Sequence, residues 1–231
     1  MSRDLTPRHP APEMRAMREQ DLTECADLHR RELPESFFAR LGSRFLRAYH
    51  RTFMASPHAV ALVVGSAGRT EGFLLGVLSP ALHGAYVLRT WGLRLALVGS
   101  AALLVRPREL ALFLRTRLPR YARGLWRRRH RHRSPADPAT GSGGPEAVLT
   151  HIAVQPSVRR GGAGSTLVEG FHREVRRAEI ASVVLLTEVD GPGAGFYRRL
   201  GYDEEGEVTG ADGQPWLRYR RRLGNDPLPD R

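Results

Sequence analysis

The sequence has no lysine. All 36 of its basic residues are arginine, and against 24 acidic residues they leave a formal net charge of +12 and a sequence pI near 11.1. A GC-rich coding bias accounts for the missing lysine but not for the excess of base over acid. That excess points to a polyanionic partner: a nucleotide cofactor, an anionic membrane surface, a phosphorylated substrate or nucleic acid. There is one cysteine, Cys25, which excludes an internal disulfide and a cysteine metal cluster. With Leu22 and Ala26 it falls on the apolar stripe of a helix and reads as a small buried hydrophobe. No apolar run is long: Leu95 to Val105 falls far short of the ~20 residues of a bilayer-spanning helix. The opening Met1 to Pro7 has no signal-peptide core, so cytoplasm is the expected compartment. His130 and His132 lie in an arginine run without further ligands, so no metal is expected.

What is present suits one α/β (α+β) domain with an insert. The chain has 231 residues, of which 41% are hydrophobic, enough for a real core. Residues 1–12, rich in Pro and charge, read as a flexible tail. Residues 13–79 carry a strand at Met14 to Met17 and a helix from the Asp21/Glu24 capping-box spacing to Leu33. A helical aromatic stripe follows from Phe37 to about Ala55, broken at Gly42, and then two strands, Ala59 to Val64 and Gly72 to Leu78. Residues 80–146 interrupt this order as an insert, with helices over Tyr86 to Val105 and Glu109 to Trp126, the run Arg127 to Arg133, and a linker of flexible composition at 134–145. Regular structure resumes over 147–223: strand Val148 to Val154, helix Gly164 to Glu179, strand Val183 to Val189, a short helix to Leu200, and strands Glu205 to Thr209 and Pro215 to Arg221. A tail, 224–231, ends the chain. The expected whole is a mixed sheet of about seven strands with helices on both faces.

One stretch carries chemistry. From His151 to Val168 a strand runs through Arg159, Arg160, Gly161, Gly162, Ala163, Gly164 and Ser165 into a helix. A helix start offers unsatisfied N–H groups and the positive end of the dipole, and the glycines let a ligand come close to the backbone, so the turn reads as a phosphate site. The P-loop fingerprint needs a lysine after its last glycine, and the dinucleotide fingerprint needs glycine where Leu167 stands. Neither is met.

Arg159-Arg160-Gly161-Gly162-Ala163-Gly164 resembles the Arg/Gln-x-x-Gly-x-Gly/Ala signature of the GCN5-related N-acetyltransferases (GNAT). It follows a strand ending Ile-Ala-Val-x-Pro, as in that family. Phe196-Tyr197-Arg198-Arg199-Leu200-Gly201-Tyr202 resembles the family's F-Y-x-x-L-G-F segment, after the strand Val183 to Val189. The resemblance is strong over 147–222, fair over 14–79 and absent over the insert. It implies the GNAT fold and acetyl transfer from acetyl-CoA, with the pyrophosphate on N–H groups from Arg160 to Ser165 and Arg159 at the rim. The pantetheine arm would lie between splayed strands and bond backbone at Ile152, Ala153 and Val154, where an N–H would polarise the thioester carbonyl. Tyr197 matches the family's general acid. For the base, His151 and Glu188 are candidates, beside ordered water. The sequence departs from the family at Asp190, where Asn is common, and in the glycine-rich Gly191 to Gly195, a poor helix start.

The resemblance implies a primary amine as acceptor, on a small molecule or peptide, acidic or phosphorylated if the insert lines its entrance. The arginines and leucines of the insert also suit peripheral contact with an anionic membrane. Few aromatics interleave the basic run, which counts against nucleic acid. A protein that binds acyl-CoA without turnover, as a sensor or scaffold, is the alternative from a different class, together with a basic nucleic-acid- or membrane-binding module built on the same fold.

Overall fold

The computed structural model describes residues 13–66, 69–104, 145–189, 191, 193–210 and 213–224. Its core is a seven-stranded sheet in the order β1-β2-β3-β4-β5-β7-β6. The strands are β1 Glu13–Ala16, β2 Ala59–Ser66, β3 Arg69–Val77, β4 Glu146–Val154, β5 Ser182–Glu188, β6 Asp203–Thr209 and β7 Pro215–Arg222. Every pairing is antiparallel except β4 with β5. On one face lie α1 Leu22–Glu32, α2 Phe37–Arg40 and α3 Ser43–Ala55. On the other lies α6 Ala163–Arg177, joined by α7 Gly193–Arg199.

The helices form where apolar residues recur at helical spacing, and each buries that stripe. Leu167, Val168, Phe171 and Val175 of α6 meet Leu62, Val64, Leu74, Leu149 and Leu185 of the sheet. Leu22, Cys25 and Leu28 of α1 and Phe53 of α3 meet Val63, Phe73, Leu75 and Ala153 on the opposite face. Cys25 is fully buried, and burial pushes its thiol up.

Two expectations shift. The Asp21/Glu24 capping box does not form. A single 3₁₀ turn, Glu19–Asp21, precedes α1. The Asp21 carboxylate accepts from the Arg18 N–H at 2.7 Å and pairs with Arg15, while Glu24 accepts from the Thr70 N–H at 2.7 Å. Asp21 is thus held below its usual range, by the Arg15 hydrogen bond first. The insert also turns helical earlier than periodicity suggests. Here α4 Pro80–Tyr86 runs through a π-helical stretch, Val87–Trp91, into α5 Gly92–Leu104. The expected helix at Glu109 to Trp126, the arginine run and the linker up to residue 144 lie outside the described residues, as do both tails except Gly224.

Three of the buried histidines, His29, His50 and His172, and the half-buried His151 pair with no acid among the described residues. His29 Nδ1 lies 3.0 Å from His50 Nε2, and the His29 ring packs 4.6 Å from that of His151. His29 Nε2 and His50 Nδ1 have no partner among the described residues. On the other face His172 Nε2 meets the Tyr202 hydroxyl at 2.8 Å. Burial pushes His29 down to about 4 and His151 and His172 to about 3, with His50 also well below its usual value. In the unfolded chain each titrates near 6.5. The unfolded state therefore binds protons that the fold refuses as pH drops below about 6.5. Stability conferred by the neutral rings is complete above that pH and is lost towards pH 4. We expect thermal unfolding scans to show the midpoint falling from pH 7 to pH 5. In a His172→Phe/Tyr202→Phe protein the slope should be shallower by up to about 1.4 kcal/mol per pH unit, one imidazole's share once the unfolded ring is fully protonated. An unchanged slope would mean His172 protonates within the fold.

Candidate functional site

The site is built by an interruption in the sheet. The parallel ladder of β4 and β5 pairs Glu146 with Ser182, Ala147 with Val183, Val148 with Val184 and Leu149 with Leu185, and ends there. At the same level the β3–β4 register shifts: Leu75 faces His151 but Gly76 faces Leu149, so Thr150 is an extra residue in β4. Such a bulge bends its strand and raises its twist. It also reverses which side chains face α6: Ala147 and Leu149 do so before it, Ile152 and Val154 after it. Beyond the bulge, Thr150–Val154 and Leu186–Glu188 run side by side with no shared ladder.

That gap is lined by backbone. The Gln155 N–H donates to the Glu71 carbonyl of β3 at 2.8 Å. Backbone direction alternates along a strand, so the N–H and C=O groups of Ile152 and Val154 face away from β3, into the gap, while those of Ala153 serve the β3 ladder. At the end of β4 a short 3₁₀ turn, Pro156–Val158, leads into α6. Gly162 has φ +85, and a Cβ there would meet nothing within 4 Å, so conformation rather than space calls for glycine. Arg160 takes φ +67, a strained setting for a non-glycine residue. The first backbone bond of α6, from the Thr166 N–H to the Gly162 carbonyl at 2.9 Å, leaves the N–H groups of Ala163, Gly164 and Ser165 ahead of it. No side chain caps them and no acid lies in the first turn. This open, positively polarised turn fits a phosphate group.

The two rim arginines differ. Arg159 donates from Nε to the Val154 carbonyl at 3.2 Å and pairs with Glu32 of α1, so it braces the end of β4. Arg160 is exposed, with no ion pair among the described residues.

Tyr197 lies on the α6 side of the sheet, buried against Phe196, Tyr202 and Tyr219. Burial pushes its phenol up, so it stays protonated and can donate. The glycines before it let α7 sit close. A Cβ on Gly193 would come within 2.6 Å of Thr187 Oγ1 and 3.3 Å of Tyr197 Cε2, and one on Gly164 within 3.2 Å of Phe196 Cζ. Packing therefore explains a helix start that propensity disfavours. Asp190 lies outside the described residues.

The two candidate bases sit on the opposite face. Thr187 points to α7, so Leu186 and Glu188 point the other way, and both are exposed. His151 shares that face but packs inward: its Nε2 lies 3.2 Å from the Tyr49 hydroxyl, beside His29. Burial and the neighbouring imidazole leave it a weak base. Sequence reasoning missed Arg159's bracing role and the Tyr49–His29–His50 surroundings of His151, which join residues distant in the chain. Among the described residues no group of three or more His, Cys, Asp or Glu could hold a metal.

Residues 144–209, from the residues before β4 to the end of β6, match the model of the FR47-like protein family. No curated protein sequence matches the chain. Among solved structures the chain is similar to Ard1 from Thermoplasma volcanium, at TM-score 0.55 and 16% identity over 94% of this chain and 100% of that one. It is also similar to yncA, a putative acetyltransferase from Salmonella typhimurium solved with its cofactor acetyl-CoA, at TM-score 0.54 and 11% identity over 96% and 99%. A third is an aminoglycoside 6'-N-acetyltransferase complexed with coenzyme A, at 0.54 and 14% over 94% and 99%. The FR47-like segment spans β4 to β6, and over the whole chain the likeness to these acetyltransferase structures is, at these identities, one of fold.

Proposed function

We propose that the protein transfers an acetyl group from acetyl-CoA to an amine. The observation that carries this reading is the gap between β4 and β5, opening beside the uncapped α6 start and with Tyr197 on the α6 side. The turn N–H groups from Arg160 to Ser165 would hold the pyrophosphate, with the Arg160 guanidinium at the rim. Backbone of Ile152 and Val154 would bond the pantetheine arm, and one of these N–H groups would polarise the thioester carbonyl. The amine approaches from the α1/α3 face. Its nitrogen bonds to the carbonyl carbon, the C–S bond breaks, and the departing sulfur takes the Tyr197 proton. The amine's surplus proton goes to Glu188, directly or through water, because that carboxylate is exposed on the acceptor side. His151 serves as packing.

Two measurements test this. Calorimetric titration with acetyl-CoA should show binding to the wild type, weakened at least about tenfold by Gly162→Val/Gly164→Val, which strains the turn and crowds Phe196. No binding to folded wild type would overturn the reading. With an amine acceptor found by screening, Tyr197→Phe should lower kcat by about a hundredfold or more with little change in acetyl-CoA affinity. Tight binding with no acceptor turned over, and none affected by Tyr197→Phe, would favour a non-catalytic acyl-CoA sensor.

A further inference from the structure

The helix α5 is apolar on two sides, and the fold uses only one. Its inner side, Leu103 and Gly99 with Leu95, Val98 and Ala102, packs on Phe37 of α2, Leu41 of the turn after it and Phe45 of α3. Its outer side carries Leu93 and Leu104, each 77% exposed, and Leu97, 64% exposed. Spacings of four and seven residues put these leucines on one stripe. Leu82 and Leu88 on the preceding helical segment are also about half exposed. A helix apolar all round is ordinarily covered on every side.

The charges around this stripe are of one sign. From Pro80 to Leu104 there is no acidic residue, while Arg89 and Arg94 are exposed. Arg94 stacks over the Trp91 ring at 5.3 Å, an arrangement that covers apolar surface and keeps the charge free. The next residues, 105–133, hold eleven arginines and a single acid, Glu109. Among the described residues no single helix is long and apolar enough to cross a bilayer, and the two segments that reach that length together are bent by 76°. At ~1.5 Å per residue α5 covers roughly 20 Å, against ~30 Å of hydrocarbon.

We propose that the outer face of α4 and α5 docks on the surface of an anionic lipid bilayer, leucines in the acyl boundary and arginines at the headgroups. Leucines without arginines would suit any apolar partner, and arginines without leucines would suit nucleic acid. Their combination on one short helical face fits an anionic interface. A second copy would bring Arg89 and Arg94 against their own like charges.

Sedimentation of the full chain with vesicles tests this, independently of acyl transfer. The wild type should pellet with phosphatidylcholine vesicles containing phosphatidylglycerol and at least about tenfold less with phosphatidylcholine alone. Leu93→Glu/Leu97→Glu/Leu104→Glu should lose binding while its circular dichroism spectrum stays native. The milder Leu93→Ala/Leu97→Ala/Leu104→Ala should bind at an intermediate level, which covers the case of a misfolded glutamate variant. Wild type indifferent to both vesicles overturns the proposal. So does full binding by both leucine variants, since that would be arginine attraction alone, or a wild-type dimer that the variants split with no vesicle binding.

Discussion

The structure turns on one failure of pairing. Parallel strands β4 and β5 share a ladder only as far as Leu149 and Leu185, and the extra residue Thr150 bends β4 at that level. A regular sheet would have satisfied its own hydrogen bonds through Val154 and left nothing for a ligand. Because the ladder stops, the N–H and C=O of Ile152 and the N–H of Val154 are presented at the centre of the protein, a place where unsatisfied backbone is otherwise disfavoured, while Arg159 takes the Val154 carbonyl. The same bend carries β4 into the turn whose N–H groups start α6.

The surrounding residues hold that opening in shape. Arg159 ties the Val154 carbonyl to Glu32 across the α1 face. Below the gap, Arg218 and Arg220 of β7 both reach Glu146 and Glu205, clamping β4, β7 and β6 together. Part of the arginine excess is thus structural. On the α6 side Tyr202 stands where the family signature has Phe, and its extra hydroxyl is met by His172. The faces divide the site's groups: the α6 side holds the uncapped glycine turn and Tyr197, and the α1/α3 side holds the exposed carboxylate of Glu188. Next to that second face, α5 rests on α3 with its outer leucines bare.

Much of this was legible in the sequence. Strand and helix order followed from periodicity, since period 2 and period 3.6 patterns bury one face each. The glycine turn and the Phe196-Tyr197 segment carried the resemblance to the acetyltransferase family. What escaped was tertiary. The Thr150 bulge exists only relative to β3 and β5 and has no local signature. His29, His50 and His151 are far apart in the chain, so their contact could not be read from spacing. Arg159 looked like a phosphate ligand because its partner Glu32 lies more than a hundred residues away. One miss was avoidable: Ser79-Pro80 is a helix-start pattern, with proline at the first helical position, and it marks α4 six residues before the periodicity does.

The account's central claim is that the backbone of the β4 gap and the α6 start receives the acyl donor. Hydrogen–deuterium exchange with and without acetyl-CoA tests it most directly. The account predicts slowed exchange at Ile152, Val154 and residues 160–165, with β1 unaffected. Saturating acetyl-CoA that left this stretch unchanged while protecting another part of the chain would contradict it.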